Sequence, residues 1–455
     1  MAILSDSLAR SPGLKFLLVA LISVAMAVPL FFVFIALMER QDNARTAAAD
    51  IARGWGGPQW LGGPALAVPY VVAETQRGPD GVVTTIDVRR VAIFLPKTLK
   101  ADAATRTETR SRGIFDVNVF TADVVVSGAF GAPDFAELSL TPKSVAWDQA
   151  VLLLTVSDLQ GLAENVSVAW GVGKTPVAFR PGLITELAAY SGINARVGIA
   201  PGGGGDTPFS ITLKLRGTSD LQFAAAGEDT EITASGNWPH PSFQGNFLPV
   251  ERTITVEGFS AKWKVPHLAR NLPQALAQPD LLPGGMSSAS FGVSFYQPVN
   301  FYLLVERALK YAILFIGLAF LSFFLIETLS EARIHGVQYL LIGAAQVVFY
   351  LLLLSLAEQI GFDLAYLAAA GATVLLITLY AWSALKRAAS ALVVFAVLST
   401  LYALLFLLLK QEDYALIIGA AAAFAAIALT MFVTRNVDWY RSGERAAVGF
   451  GIGRR

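Results

Sequence analysis

Side chains able to do acid–base, nucleophilic or metal chemistry are few and scattered in this chain. It has no cysteine, which removes thiolate nucleophiles, disulfides and Cys-based zinc sites. Its three histidines, His240, His267 and His335, stand far apart, so a His-rich metal site is not expected. GVGKT at 171–175 ends like a phosphate-binding loop. Val168 stands where that pattern needs its first glycine, however, and Pro176 follows at once. A β-turn is the expected structure there. GGGGD at 202–206 lacks a strand before it and a helix after it, and reads as a flexible loop. Neither a GxSxG elbow nor an HExxH pair occurs. No cofactor is implied, and spacing alone selects no catalytic set among the many Ser and Asp residues.

A second group of polar residues brackets apolar runs. Glu306, Arg307 and Lys310 head one run, with Glu306 and Lys310 four apart and able to pair on one helical face. Glu327, His335 and Gln338 flank a short link, and Glu358 another. A proton or ion relay needs such groups inside a bilayer. At its edge, long side chains reach out to water, so anchoring is the expected role. Gln346 is one of the few strongly polar groups near the centre of a run.

Those runs define the architecture. Apolar stretches cover 14–38, 311–326, 337–357, 364–382, 389–409 and 414–433. Crossing a bilayer as a helix takes roughly 20 apolar residues. With 55% hydrophobic and only 15% charged residues, the chain is poorer in charge than soluble domains. Lys plus Arg and Asp plus Glu are 34 each, so no net basic field attracts nucleic acid. The first run is too long for a cleavable signal and no small-residue cleavage site ends it, so it reads as a signal anchor. Pro29 should kink it. The Ala-rich, polar stretch 40–54 should continue its helix. Small residues at Ala365, Ala369 and Thr373, and at Ala415, Gly419 and Ala423, mark close helix packing.

Basic residues orient the spans. With a cytoplasmic N-terminus, the inner side holds Arg10, Lys15, Arg333, Lys386, Arg387, Arg435, Arg441, Arg445, Arg454 and Arg455. The outer side holds Arg40, Arg307, Lys310 and Lys410. Both termini are then cytoplasmic.

Between the first span and the rest, short alternating or β-branched runs recur between Gly, Pro, Asp and Asn breakers. Examples lie at 84–95, 114–120, 209–215, 253–256 and 291–296. An all-β sandwich, single or double, is the expected class. The divisions are a signal-anchor helix at 1–38, a β-rich domain at 39–300, a five-helix bundle at 301–435 and an Arg-rich tail at 436–455.

Several segments resemble the CreD family of bacterial inner-membrane proteins. They are WGGPQWLGGPALAVPY (55–70), RGIFDVNVF (112–120), VSDLQG (156–161), WPHPSFQGNFLP (238–249), GFSAKW (258–263), ERALKYAILFIG (306–317) and RIHGVQYLLIG (333–343). On the orientation above the β domain is periplasmic, and the resemblance implies an inner-membrane protein linked to envelope maintenance, β-lactam responses and tolerance of a colicin. It carries no catalytic residues and no cofactor. Within it, Trp238, Pro239, His240, Pro241, Ser242 and Phe243 form an aromatic turn stiffened by two prolines. It reads as a structural corner, with partner docking as the alternative.

The leading expectation is a non-enzymatic membrane protein acting by contact with the bilayer and with an envelope protein, lipid or peptidoglycan-related partner. Self-association as a homo-oligomer stays open. The alternatives are a transporter or channel for lipid or envelope precursors, and an envelope-modifying enzyme. Polar groups facing a midplane cavity would favour the first, and a cleft with convergent acid, base and nucleophile the second.

Overall fold

A computed structural model describes residues 12–77, 83–173, 176–200, 205–295, 301–330, 334–411 and 415–435. Lys174, Thr175, residues 201–204, Arg10, Arg333 and the tail 436–455 lie outside the described residues. The chain divides into two compact units, Met1–Asn43 with Val299–Arg455, and Ala44–Pro298.

The first unit is helical. Six helices are long and apolar enough to cross a membrane: Lys15–Trp55, Phe301–Thr328, Gly336–Ile360, Phe362–Leu385, Ala388–Lys410 and Ile417–Thr434. The first consists of two helical pieces, Pro12–Ala25 and Ala27–Trp55, with Met26 between them. Pro29 explains the break. It has no N–H to give the carbonyl of Ala25 four residues back, and its ring clashes with that carbonyl. The interruption therefore falls at Met26, upstream of the proline, and the second piece runs unbroken through the polar stretch to Trp55.

The second to fifth spans pack in sequence around an aromatic core. Phe349 lies 4.9 Å from Tyr350, 5.5 Å from Tyr366 and 4.8 Å from Tyr402, ring to ring. On the fourth span, Ala365, Ala369 and Thr373 are buried, as their spacing suggests. The sixth span differs. The most apolar part of Ile417–Thr434 is 0% buried, and the nearest group to Gly419 is Leu408 Cδ2, 4.0 Å from a Cβ built there. Among the described residues, Gly419 on the small-residue face expected to pack in the bundle has no tight neighbour.

The second unit holds two sheets, of 10 and 8 strands among the described residues. Gln59–Arg77 organises the larger sheet. It pairs antiparallel with Val83–Phe94 and Val151–Val156, and parallel with Asp220–Ala224. Its pairing with Val151–Val156 shifts register between Gly62 and Ala65, where Gly63 takes φ +106° that a side chain would strain. In the smaller sheet, Thr98–Arg112 pairs antiparallel with Phe115–Phe130, which pairs antiparallel with Thr207–Thr218. The inner faces of the two sheets share one core that includes Leu61, Leu152, Phe120, Ile211, Trp263 and Phe291. Along Thr98–Arg112, Leu99, Ala101, Ala103, Thr105 and Thr107 alternate inward, as a half-buried strand requires.

Candidate functional site

Segments that stand out in the sequence meet in the β unit at two places. The first forms where the helix Ala27–Trp55 ends. The Asp158 carboxylate accepts from Gly57 N at 2.8 Å and from Gln160 N at 3.0 Å. Buried Gln59 donates from Nε2 to the carbonyls of Asp158 (3.3 Å) and Arg216 (3.0 Å). Ser157 Oγ accepts from Trp60 N and donates to the Pro58 carbonyl. Gly56 has φ +124°, and a Cβ there would stand 2.6 Å from the Arg216 carbonyl oxygen, so only glycine fits. Trp55 donates from Nε1 to the Phe120 carbonyl, and the Arg110 guanidinium lies 3.6 Å from its ring centre. Asp50 forms an ion pair with Arg112 at 2.9 Å. Apart from Gln59 Oε1, which is buried without a partner, the polar groups named in this knot bond to the protein itself, so the arrangement fixes backbone.

The second is the aromatic corner. Trp238 donates from Nε1 to the His240 carbonyl at 3.1 Å, with the two rings edge to face. Pro239 turns the chain, and Pro241–Gly245, which contains Ser242, pairs with Ser290–Phe295 at the end of the larger sheet. Phe243 packs 5.6 Å from the Trp263 ring and 6.2 Å from Phe259. Trp263 in turn donates to the Phe247 carbonyl. Trp238 and Phe243 thus pack on the core, and His240 is the exposed member.

Sequence reasoning missed Arg270. It is 1% exposed, donates from Nη1 to the Ala226 carbonyl at 2.9 Å, and pairs through Nη2 with Gln274 and with His267 Nδ1. Burial pulls its pKa down, and Glu228 partly offsets that. Gln274 carries the network on to the carbonyls of Leu95 and Pro96. Beside it lies an open groove of about 570 Å³ whose polar lining is Glu137, Glu228, His267, Asn271 and Gln274. An arginine followed by Gln274 at i+4 was the one signal available. No group of three or more His, Asp or Glu placed to hold a metal ion occurs among the described residues.

In the helical unit the edge residues are brought together in clusters. Glu327, 7% exposed, forms an ion pair with Lys15 of the first span. It also accepts from Ile334 N at 2.8 Å and Tyr339 hydroxyl at 3.1 Å. Lys15 donates to the Ile334 carbonyl as well. His335 caps the third span, its Nδ1 accepting from Val337 N while Gln338 accepts from His335 N. At the far end of that span, Glu358 accepts from Tyr302 hydroxyl at 3.1 Å and lies 3.8 Å from Arg40. Glu306 and Lys310 pair at 2.8 Å, and Arg307 donates to the Leu409 carbonyl. Glu327 at the end of the second span and Glu358 at the end of the third are therefore each paired with one tyrosine and one cation of the first span.

This is the build of a multi-pass membrane protein with a two-sheet β unit inserted after its first span. Residues 11–440 match the family model described as "Inner membrane protein CreD". The chain is also 32% identical over 417 residues to the Inner membrane protein CreD of Escherichia coli (strain K12), covering 91% of each. The chain belongs to the CreD family.

Proposed function

We propose that the protein works from the bacterial inner membrane, with both termini cytoplasmic and the β unit in the periplasm, and supports envelope integrity by contact. The observation that carries the contact reading is a hairpin at one end of the smaller sheet. Glu251–Thr255 is its outermost strand and is exposed throughout. Around it Leu248 is 71%, Val250 62%, Ile254 48% and Val256 91% exposed. An edge strand leaves backbone N–H and C=O groups free for another chain, and exposed apolar side chains add area to such pairing. An extended segment of an envelope protein is the partner this chemistry suits.

The orientation draws support from charge. Three of the four cations assigned to the outer side have a carboxylate partner: Arg40 lies 3.8 Å from Glu358, Lys310 2.8 Å from Glu306 and Lys410 2.5 Å from Asp363. The orientation rests on the count itself, ten Lys and Arg assigned to the inner side against four to the outer. The resemblance stated above supplies the envelope role.

Changing Ile254 and Val256 together to Asp in the full chain should leave expression and insertion intact and abolish protection against β-lactam stress. Full protection by that variant would overturn the contact reading. Reporter fusions at Lys386 should report cytoplasm, and fusions at Gly205 periplasm. The reverse pattern would overturn the orientation.

A further inference from the structure

We propose that the helical unit binds one water molecule near the middle of the bundle, held by Gln346 Nε2 and the hydroxyls of Tyr350 and Tyr402. Gln346 is 3% exposed, and its Nε2 has no hydrogen-bond partner among the described residues. It lies 10 residues into Gly336–Ile360. At 1.5 Å per residue that is about 15 Å, half the hydrocarbon thickness. An amide N–H at that depth has no lipid acceptor, and leaving it unpaired is costly.

Gln346 lines a small cavity between the second, third and fifth spans. Phe315, Leu398 and Leu405 supply apolar walls, and Tyr350 and Tyr402 bring the other polar groups. The space open to the centre of a water-sized sphere is about 10 Å³. That is close to the least volume that holds one water, and too little for a lipid or solute. A buried water typically needs two to four polar partners, and three side chains offer them here. The amide donates, and a tyrosine hydroxyl can donate or accept, so the set suits a water that does both. The wall is firm: Tyr366 hydroxyl donates to the Tyr402 carbonyl at 2.7 Å, and Phe349 packs on Tyr350 and Tyr402. The bound water would join the third span to the fifth by hydrogen bonds where apolar packing alone gives no register.

X-ray radiolytic footprinting of the full-length protein in nanodiscs tests this, because radicals made from a bound water oxidise the side chains beside it. Tyr350 and Tyr402 should be oxidised several-fold more than Tyr339, which is also buried but is paired with Glu327. Gln346→Leu should bring both down to the level of Tyr339. Gln346→Met, of nearly unchanged volume and without a donor, gives the same readout should the leucine variant fail to insert. No oxidation of Tyr350 and Tyr402 in the unaltered protein would overturn the proposal. So would equal oxidation with and without the Gln346 donor.

Discussion

Lys15 and Glu327 are 312 positions apart in the chain and form an ion pair that fastens the first span to the end of the second. The carboxylate side chain is 8% exposed and the ammonium 26%. Removing one member of a buried pair strands the other and costs about 3–5 kcal/mol. Glu327→Ala should therefore lower stability in detergent by about 3 kcal/mol, because Lys15, Ile334 N and Tyr339 all lose their acceptor. Adding Lys15→Met to that variant should recover part of the loss. Thermal unfolding of both single variants and the double variant checks it, and strictly additive losses would contradict the pairing.

Helix contacts within the bundle differ sharply between two glycines. A Cβ at Gly343 would stand 2.7 Å from Met26 Sδ and 2.8 Å from Phe320 Cζ. Gly343→Leu should drive the first and second spans away from the third and cost about 1–3 kcal/mol. Gly419→Leu meets no atom nearer than Leu408 Cδ2 at 4.0 Å and should change the unfolding midpoint little. Equal effects of the two changes would mean that the sixth span packs more tightly than it does here.

These glycines show where the sequence stops speaking. Ala415, Gly419 and Ala423 have the same spacing as Ala365, Ala369 and Thr373, yet Gly419 and Ala423 are only half-buried whereas the second set is buried. Spacing describes a helix face, and burial depends on what meets it. The six spans were legible because their signal is local: length and apolarity. The strand Thr98–Arg112 was less so. Its inward residues are mostly Ala and Thr, so hydrophobicity barely alternates, and none of the runs read as strands covers it. The pairing of Lys15 with Glu327, and of Gln59 with Asp158, rests on contacts between distant segments that no periodicity encodes. The kink expected from Pro29 takes the form of a break at Met26, because the carbonyl that proline cannot serve lies four residues earlier.

The knot below the first helix should be sensitive at one carboxylate. Asp158 accepts from two backbone N–H groups, of Gly57 and Gln160. Asp158→Ala leaves both donors without their partner and should cost about 1–3 kcal/mol. Asp158→Asn retains an acceptor oxygen and should cost less. Denaturant midpoints of the full chain measure both, and an alanine variant as stable as the parent would show that water replaces the carboxylate without loss.

Alkaline pH should expose Tyr70. It is 2% exposed, and burial, opposed by Arg90 and aided by Glu74, pushes its pKa above the ordinary 10.0. The unfolded chain then loses this proton at lower pH than the folded protein does. Stability from the neutral phenol is complete below the unfolded value and is lost as pH rises through the folded one. Tyr70→Phe removes that loss. Comparing unfolding midpoints at about pH 9 and about pH 11, the parent should fall further than the variant. Parallel falls would mean that Tyr70 ionises equally in both states.

The sharpest functional test separates clips from relays in the helical unit. Glu358 accepts from Tyr302 and lies 3.8 Å from Arg40, and Glu327 is held by Lys15 and Tyr339. Carboxylates so held tie helices together, whereas a relay group must gain and lose a proton as it works. If both are clips, Glu358→Gln should keep the Tyr302 hydrogen bond and leave envelope protection almost unchanged. Glu358→Ala should lower protection only as far as it lowers the amount of folded protein. Alanine at Glu306, Lys310, His335 or Gln346 should behave in the same way. Protein level in the membrane and survival under β-lactam are read side by side. Should Glu358→Gln insert at full level and lose all protection, proton transfer at Glu358 would replace contact as the working principle, and the bundle would become the site to map.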